Sequence, residues 1–412
     1  MKVERLTGVA PEAAAEALRA QAPAGVSVSG TVNEIVASIR TRGEQALLEY
    51  AERFDGVTGP LRVEQAECDA ALAALDPAVR DGLEVAIANV RAVAEAGLVT
   101  DDRQVALPEG QTVTIRELPV RRAAIYTPGG RNPYPSTVVM GVVAARAAGV
   151  DDVVVCAPGA HPVILAACAL CGADEVWRMG GAHAVAAFAY GTDSVKRVDV
   201  IAGPGSLYVQ EAKRQVSGDV GIDGFAGPSD VLILATGDAD PGLVVADLVA
   251  QAEHGAGTVV VLVTDDAALA DDVAARLAAE PDSAAVAAVV VVTDMDEGLA
   301  VSEHFAPEHL ELVGARAEAL VDRVRSAGSV FVGRESGTAF GDYVAGSNHT
   351  LPTGGAARFT SGLSTRQFRR RMNVVRIGPA ADALARAGAP VAEAEGFTRH
   401  ADSMRVRENP RG

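Results

Sequence analysis

The chain has 412 residues, of which 49% are hydrophobic and 4% aromatic, and its formal net charge is -18. This length and apolar content support two or three packed domains and exclude a disordered or fibrous protein. The acidic charge argues against nonspecific binding to nucleic acid or to an anionic membrane, because both require a basic surface. The composition therefore favours an enzyme that acts on a small molecule.

The N-terminal segment MKVERLTGVAPEAAAEAL carries too many charges for a signal peptide, and the chain has no apolar run long enough to span a membrane. We therefore predict a cytoplasmic protein. Up to about residue 115, apolar residues recur at spacings of three and four, which predicts a mostly helical region interrupted at Gly56, Gly59 and Pro60. The segment QTVTIRELPVRRAAIYTPGG then predicts two strands that end at a loop.

Residues 123–223 alternate four times between a strand pattern and a helix pattern. This alternation predicts a parallel sheet with helices on its faces and a ligand site at the carboxyl ends of the strands. Glycine turns at residues 127–131, 157–159, 180–183 and 203–206 would let backbone amides approach a phosphate, although none matches GxGxxG. Cys168 and Cys171 end an apolar run, so we predict buried thiols and no disulfide.

A second alternating unit begins at Asp230, with strands VLILAT, VVVLVT and AVVVVT and helices over 241–254, 267–279 and 315–327. The predicted fold class is α/β, with two Rossmann-like, incomplete doubly wound domains, an N-terminal helical region and an extended C-terminal tail. The turn-rich joint DGFAGPSD would place Ser229 at a cleft between these domains.

The chain after Gly333 forms a long polar, glycine-rich segment, and its Asp, Asn and His residues favour a functional loop. The basic run at residues 369–371 predicts a solvated helix face. The final segment AEAEGFTRHADSMRVR predicts a short helical tail.

The segment AQAEHG predicts the last turn of a helix that begins at Asp240 and Pro241 and stops at Gly255. Gln251 and His254 lie three residues apart and so share one face of this helix. An amide oxygen and an imidazole nitrogen at a helix C-terminus are typical of half a divalent-cation site. The alternative is that His254 is an ordinary hydrogen-bonding residue.

Carboxylates also accompany histidines at three other places: Glu308 with His309, Asp342 with His349, and Glu395 with His400. Glu308 and His309 follow Pro307 at the start of the predicted strand HLELV, so both could address one cleft in different roles. The alternative is a surface ion pair.

Nine segments, taken in order, closely resemble histidinol dehydrogenase: AIYTPGGRNPYPSTVVM, MGGAHAVAAFAYGT, GPGSLYVQEAKRQV, GIDGFAGPSDVLI, QAEH, FAPEHLEL, GDYVAGSNHTLPT, FTSGLS and EAEGFTRHADSMRVR. The resemblance extends from about residue 30 to the C-terminus. It implies two successive NAD-dependent oxidations at one site, from L-histidinol through L-histidinal to L-histidine, the last step of histidine biosynthesis. It also implies an intertwined homodimer with shared active sites.

The resemblance implies one zinc ion per subunit, and the matching ligand positions are Gln251, His254, Asp342 and, from the other subunit, His400. It also implies that His309 takes the alcohol proton and that Glu308 activates water on the aldehyde. The implied substrate-contacting residues are Ser229, His349 and Glu395 together with Gln251, His254, Glu308, Asp342 and His400.

On the cofactor side, Tyr126 matches an NAD-contacting position of the family. His183 stands where the family commonly has Gln, and Ser206 stands where it commonly has Asn. Both side chains still form hydrogen bonds but with a different reach, so we expect these changes to affect NAD binding rather than the reaction.

We expect four regions along the chain: an N-terminal arm at residues 1–23, a discontinuous Rossmann-like domain at 24–124 and 230–363, an inserted NAD-binding domain at 125–229, and a tail at 364–412. The discontinuous domain would carry the zinc site and the catalytic bases, and the tail would reach the partner subunit.

Two alternatives to this function stay open in the sequence. One is a related zinc- and NAD-dependent dehydrogenase of another small polar alcohol, such as a sulfonated diol, but Glu395 and His349 favour an amino alcohol. The other is a metal- or nucleotide-binding regulatory protein without catalysis, although Glu308 and His309 favour an enzyme.

Overall fold

The structure is a computed structural model that describes residues 1–21, 27–129 and 132–408. The strands are β1 (Val3–Thr7), β2 (Arg62–Val63), β3 (Arg103–Ala106), β4 (Thr112–Pro119), β5 (Arg122–Tyr126), β6 (Asp152–Cys156), β7 (Glu175–Trp177), β8 (Val200–Ala202), β9 (Gly221–Ile222), β10 (Asp230–Ala235), β11 (Val259–Thr264), β12 (Val286–Val291), β13 (His309–Val313), β14 (Ser329–Val332) and β15 (Arg369–Arg376).

The α-helices are α1 (Pro11–Ala20), α2 (Ser29–Arg42), α3 (Glu44–Tyr50), α4 (Gln65–Ala73), α5 (Pro77–Ala96), α6 (Pro135–Ala147), α7 (Pro162–Cys171), α8 (Gly181–Tyr190), α9 (Leu207–Val216), α10 (Pro241–Ala252), α11 (Ala267–Ala279), α12 (Met295–Phe305), α13 (Ala315–Glu318), α14 (Thr338–Tyr343), α15 (Ala381–Ala394) and α16 (Thr398–Arg405). The chain divides into a first unit, Met1–Gly97 with Arg121–Phe368, and a second unit, Leu98–Val120 with Arg369–Gly412.

The first unit contains two six-stranded sheets, and the sheet built from β2 and β5 to β9 is called the first sheet. Its strand order is β2-β7-β6-β5-β8-β9, and all neighbours are parallel except β2 and β7. The alternation predicted over residues 123–223 is therefore confirmed. Helix packing on this sheet is close, since a Cβ at Gly141 of α6 would lie 2.3 Å from Ile125 of β5.

The second sheet has the order β1-β12-β11-β10-β13-β14, and every neighbouring pair is parallel. Alternate side chains face opposite sides of the sheet. Leu310 and Leu312 therefore join the core that includes residues of α1 and α12, whereas Val313 joins the core under α10 and α11. His309 and Glu311 lie on the same side of the sheet as Val313. Polar side chains are therefore present on the face against which α10 packs.

Three details of the second sheet differ from the prediction. The N-terminal segment contains strand β1, and α12 was not predicted. The helix expected over 315–327 is limited to α13 and a 3-10 turn at Val321–Arg323. Beyond the 3-10 turn, the backbone amides of Arg325 and Ser326 donate to the carboxylate of Glu303 at 2.7 and 3.4 Å instead of continuing a helix.

Helix α10 begins as predicted, because the side chain of Asp240 accepts a hydrogen bond from the amide of Gly242 at 2.8 Å and Pro241 occupies the first turn. Its regular part ends at Ala252, so the expected span to residue 254 is too long. His254 lies in the following turn, where its amide donates to the carbonyl of Gln251 at 3.2 Å, before Gly255 takes a positive φ of 90°.

The second unit contains the antiparallel sheet β15-β4-β3 and the packed helices α15 and α16. The prediction of a helix face at residues 369–371 is wrong, because these residues open β15. The pairing with β4 is stabilised by an ion pair of Arg371 with Glu117 at 2.7 Å. The helical tail is confirmed by α16, which packs on α15 through Ala389, Ala392 and Ala401.

Cys68, Cys156, Cys168 and Cys171 are buried and free, as predicted for the CxxC pair. Over the residues that the structure describes, no helix is long and apolar enough to cross a membrane. The four-region division of the chain stays a prediction.

Candidate active site

The amino ends of β10 and β13 meet at one edge of the second sheet. Val231 lies beside His309 in this parallel pair, so Ser229 and Asp230 come next to Glu308. Helix α10 leads from β10 to β11, and a helix in such a crossover returns the chain to the edge from which the strands start. Its C-terminal residues therefore reach the same edge as these strand starts.

Glu308 is 6% exposed and is held by three hydrogen bonds. Its carboxylate accepts from the hydroxyl of Ser229 and, at 3.0 Å, from the amide of Asp230. Its own amide donates to the carboxylate of Asp230 at 2.6 Å. Burial, with a smaller contribution from the charge of Asp230, raises the pKa of Glu308 to about 7 against the lowering effect of His309. Glu308 can therefore act as a base near neutral pH.

His309 is 3% exposed and lies between two carboxylates. Its Nδ1 is 3.2 Å from the carbonyl oxygen of Asp230 and 3.7 Å from the carboxylate of Glu308, while its Nε2 is 3.7 Å from that of Asp342. Burial lowers the pKa of His309, but the carboxylates of Asp342 and Glu308 outweigh it and raise the pKa to about 9. The carbonyl of Asp230 favours a proton on Nδ1 and so leaves Nε2 to face Asp342.

Gln251 is buried, and its amide nitrogen donates to the hydroxyl of Ser229 at 2.5 Å, which links α10 to Glu308. Helix α14 packs against α10 and brings Asp342 towards the same place. Partial burial raises the pKa of Asp342, but the neighbouring histidines His309, His349 and His254 outweigh it, so the net shift is downward. The carboxylate of Asp342 thus lies within the electrostatic influence of three imidazole groups.

Amide oxygen, imidazole and carboxylate are donor types that zinc accepts in proteins, so Gln251, His254 and Asp342 could hold a divalent cation. Within the described ranges, no three His, Cys, Asp or Glu side chains form a metal-binding group. A four-ligand centre built on these residues therefore needs the amide of Gln251 and a further donor.

His349 connects this cluster to the first sheet. Its Nδ1 is 3.0 Å from the carbonyl of Asp342, and its Nε2 is 3.2 Å from the hydroxyl of Thr137 in α6. Burial lowers the pKa of His349, which favours a neutral ring. A neutral imidazole held at both nitrogens fixes the loop that follows α14.

Glu395 and His400 belong to the second unit and are exposed there. Glu395 caps α15, and His400 stacks on Phe397 with ring centroids 5.0 Å apart. The roles expected for both residues stay predictions.

Several residues at this site were not predicted. Asp230 is fully buried beside Glu308, and Arg19 of α1 binds its carboxylate at 2.5 Å. The available signal was an aspartate that opens an otherwise apolar strand, because a carboxylate in that position needs a buried partner. The identity of the partner is not visible locally, since Arg19 is far away in the sequence.

A second pair of carboxyl groups, Glu311 and Asp247, lies on the α10 face beyond His309. Burial and the charge of Asp247 raise the pKa of Glu311, and burial raises that of Asp247. Glu311 accepts a hydrogen bond from the amide of Thr338 at 2.9 Å, and a Cβ at Gly337 would lie 2.6 Å from Asp247. The pair therefore contacts the first turn of α14, the helix that carries Asp342.

A cavity of about 920 Å³ lies at the carboxyl ends of the first sheet. Tyr126, His183 and Ser206, the three residues predicted to contact NAD, all line it. The turns after the strands line it as well, although residues 130 and 131 of the first predicted turn lie outside the described residues. Its volume falls within the range of small-molecule and cofactor sites.

Glycine forms the wall of this cavity where two turns approach closely. A Cβ at Gly180 would lie 2.4 Å from Pro158 and 3.3 Å from the hydroxyl of Tyr126, and a Cβ at Gly129 would lie 2.7 Å from Pro158. The hydroxyl of Tyr126 accepts a hydrogen bond from the amide of Gly181 at 2.9 Å. Gly129 and Gly159 are exposed, so at these two turns the backbone is accessible to a phosphate-containing ligand.

His183 is almost fully buried, and its Nε2 is 2.8 Å from the carboxylate of Asp55. The same carboxylate accepts the amide of Gly180 at 3.0 Å. The other ring nitrogen, Nδ1, is buried and has no hydrogen-bond partner among the residues described. Asp55 was not predicted as part of this site.

Comparison with known proteins identifies one family. The family model described as histidinol dehydrogenase matches residues 19–408. The chain is 43% identical to a histidinol dehydrogenase of Parasynechococcus marenigrum, covering 94% of this chain and 93% of the relative. It is 45% identical to that of Nocardia farcinica, covering 95% and 94%. The crystal structure of histidinol dehydrogenase from Elizabethkingia anophelis matches with a TM-score of 0.91 and 30% identity over 98% of both chains.

Proposed function

The chain belongs to the histidinol dehydrogenase family, and from this premise we propose that it oxidises L-histidinol to L-histidine through L-histidinal in two NAD-linked steps, the last step of histidine biosynthesis. The observation that carries the proposal is the buried Glu308-His309 pair, held by Asp230 and Ser229 at the edge where α10 ends. A regulatory binding protein has no need of two buried bases. The sulfonated diol gains no support from the family match.

The cavity of the first sheet supports NAD as the cofactor. Tyr126, His183 and Ser206 line it, and Gly129 and Gly159 in its turns are exposed, so the backbone there can approach a pyrophosphate closely. When bound, NAD accepts one hydride in each oxidation.

Zinc is proposed at Gln251, His254 and Asp342, with His400 of a second subunit as the fourth ligand. The donor types fit, and the electrostatic effect of His254 on Asp342 supports their proximity. When bound, the metal would supply an anchor for the nitrogen atoms of the substrate. Gln251 is oriented for this role by its hydrogen bond to Ser229.

In the first oxidation, His309 takes the proton of the alcohol while the carbon loses a hydride. Its Nε2 faces the proposed ligand Asp342, and its Nδ1 faces the carbonyl of Asp230. This arrangement fixes the ring with one nitrogen directed to the site. Because Asp342 is itself a proposed ligand, its contribution to the raised pKa of His309 belongs to the metal-free chain.

In the second oxidation, water adds to the aldehyde and Glu308 takes its proton. The resulting hydrate loses a hydride and becomes the carboxylic acid, which completes a four-electron oxidation. A pKa of about 7 suits this task, because Glu308 is then substantially ionised at neutral pH and still basic enough to accept a proton. Ser229, His349 and Glu395 are proposed to contact the substrate.

The test of the function is NADH formation from purified enzyme, saturating NAD and L-histidinol. We expect two NADH for each histidinol consumed, loss of activity on chelation, and recovery when zinc is returned. No turnover under these conditions, or turnover of a sulfonated diol in preference to histidinol, would contradict the proposal.

The shared site is tested separately with two inactive variants, His309→Ala and His400→Ala. When the two are unfolded and refolded together, hybrid dimers should regain activity, because one of their two sites is then intact. Each variant refolded alone serves as the control. A mixture that never exceeds these controls would show that His400 does not act across a dimer.

A further inference from the structure

Arg19, at the end of α1, reaches the back of the candidate site. Its guanidinium donates to the carboxylate of Asp230 at 2.5 Å and to the carbonyls of Phe305, at 2.6 and 3.2 Å, and Ala306, at 3.2 Å. It also lies 3.6 Å from the centroid of the Phe305 ring. One side chain from the N-terminal segment therefore contacts both the strand and the turn that flank Glu308.

Asp230 transmits this contact to Glu308. Both of its carboxylate oxygens are engaged, one by Arg19 and the other by the amide of Glu308 at 2.6 Å, and it is fully buried. Its own amide donates to the Glu308 carboxylate at 3.0 Å. Asp230 thus holds Glu308 at both the backbone and the side chain.

The turn that carries Glu308 has an unfavourable backbone conformation. Ala306 has a positive φ of 49°, which is uncommon for a residue with a Cβ. Arg19 binds the carbonyls on each side of this position, and planar guanidinium groups suit such multiple contacts better than lysine does. Arg19 therefore stabilises the path of the chain into Glu308.

We infer that Arg19 is a positioning residue for the second oxidation. It neutralises Asp230 and thereby keeps Glu308 in place and ionised. This inference rests on the proposed function. In the proposed reaction, Arg19 contacts neither the substrate nor the cofactor. It acts only through Asp230 and the turn at Ala306.

The sign of the effect follows from the charges that face Glu308. His309 lies on one side and favours its ionised form, whereas Asp230 lies on the other and disfavours it. Burial raises the pKa of Asp230, and the ion pair with Arg19 opposes this rise and favours the ionised carboxylate. Removal of Arg19 leaves an uncompensated carboxylate beside Glu308, so a higher pH is needed to ionise Glu308.

The experiment measures the oxidation of L-histidinal by the zinc-loaded enzyme between pH 5.5 and 9.5. In Arg19→Gln we expect the acid limb of the pH profile of kcat to shift to higher pH by about 0.5 to 1 unit. At high pH the rates should approach those of the wild type. The matched control is Arg5→Gln, which removes an exposed ion pair with Asp271 from the same N-terminal segment. This control should leave the limb in place.

Two further variants separate charge from folding. Arg19→Gln combined with Asp230→Asn removes both charges, and the new amides can pair with each other, so the limb should return to within about 0.3 unit of the wild type. Arg19→Lys keeps the charge and should leave the limb nearly unchanged while kcat falls severalfold, because lysine cannot bind the carbonyls as a fork.

A loss of activity of equal size at every pH in Arg19→Gln, or an Arg19→Lys limb displaced as far as that of Arg19→Gln, would overturn the inference. If Arg19→Gln does not fold, Arg19→Lys tests the contacts of the guanidinium group, and a kcat equal to that of the wild type in this variant would overturn the inference. Histidinal oxidation by the wild-type enzyme distinguishes a failure of this inference from a failure of the proposed function. If the wild type fails to oxidise histidinal, the proposed function is wrong, whereas normal wild-type oxidation with an unmoved limb refutes only the role of Arg19.

Discussion

The two six-stranded sheets of the first unit carry their candidate functional residues at opposite edges and by different means. In the first sheet, the cavity lies at the carboxyl ends of the strands and is shaped by glycine turns, among them those at Gly129 and Gly180. In the second sheet, the cluster lies at the amino ends of β10 and β13 and consists of buried ionisable groups. The first site is an open cavity, while the second is a closed cluster of ionisable side chains.

The difference shows how a single α/β architecture can separate cofactor binding from acid-base chemistry. A cavity bordered by glycine turns tolerates a large, charged ligand because the backbone can approach the ligand closely there. Buried carboxylates and imidazoles instead shift one another's pKa, which a base in a closed site requires. Substitutions at the first edge should therefore change KM for NAD, and substitutions at the second should change kcat and its pH dependence.

The largest effect is expected for Glu308→Gln, in the cluster at the amino ends of β10 and β13. The oxidation of L-histidinal should fall by about 10²- to 10⁴-fold, because the amide cannot take the proton of water. With L-histidinol as substrate, the variant should form close to one NADH per substrate and accumulate the aldehyde. Product analysis alongside NADH formation measures both.

The control for this prediction is Glu335→Gln, which changes an exposed side chain in the same way. It should leave both oxidations intact. If Glu308→Gln oxidised histidinal at the rate of the control, the water-activating role of Glu308 would be wrong.

The second prediction concerns the cavity at the carboxyl ends of the first sheet. In Gly180→Ala the new Cβ would lie 2.4 Å from Pro158, whose ring cannot move aside, so the two turns should be forced apart. KM for NAD should rise about tenfold or more while kcat at saturating NAD falls less, since an ångström-scale displacement weakens binding before chemistry. Steady-state kinetics with varied NAD measures the two separately.

Gly82→Ala provides the comparison for Gly180→Ala. Gly82 lies within α5, where a Cβ would meet nothing within 4 Å, so this variant should bind NAD normally. It should also unfold at a slightly higher temperature, because alanine favours a helix over glycine by up to about 1 kcal/mol. An equal loss of NAD affinity in both variants would exclude a specific role for the close contact at Gly180.

The edge with glycine turns could be predicted from the sequence because its signals are local. Strand-helix alternation locates β5 to β8, and the rule for parallel sheets places ligands at their carboxyl ends. The same rule points to the wrong edge of the second sheet. The cluster there was predicted from the resemblance of motifs, with only Gln251 and His254 indicated by helical spacing.

The predictions that failed depend on contacts between distant segments. The strand at residues 369–371 could not be predicted, and a helix face was expected there instead. The strand forms by pairing with β4, which joins residues about 250 positions apart. Asp55 meets His183 across 128 positions, and Arg19 meets Asp230 across 211. A single sequence contains no periodic signal for such pairs, so the residues that support a site are harder to predict than those that form it.

A smaller effect is expected behind the charged edge, for Glu311→Gln. Burial and Asp247 raise the pKa of Glu311, so the folded chain keeps a proton that the unfolded chain releases above its usual carboxyl pKa near 4.5. Stability must then fall as pH rises from that value towards the raised pKa of the folded state. The glutamine side chain resembles the protonated carboxyl group and does not titrate, so the variant should lack this dependence.

Denaturant unfolding of the metal-free protein at pH 6 and pH 8 measures this dependence. The wild type should lose about 1 kcal/mol or more relative to Glu311→Gln between the two values, since one pKa unit corresponds to about 1.4 kcal/mol. Parallel pH dependences would show that Glu311 is ionised in the folded chain.

The smallest effect is expected at the edge shaped by glycine, for His183→Gln. The side-chain amide of the variant can still donate to Asp55, and its oxygen replaces the buried Nδ1 that has no partner among the described residues. KM for NAD should therefore change only two- to fivefold, about 0.4 to 1 kcal/mol, with kcat and its pH profile unaltered. Asp55→Asn is the matched variant, because it keeps the shape but removes the charge that both His183 and Gly180 bind. If His183→Gln instead displaced the pH profile of kcat, charge at this edge would contribute to catalysis, and the separation between the two sheets would not hold.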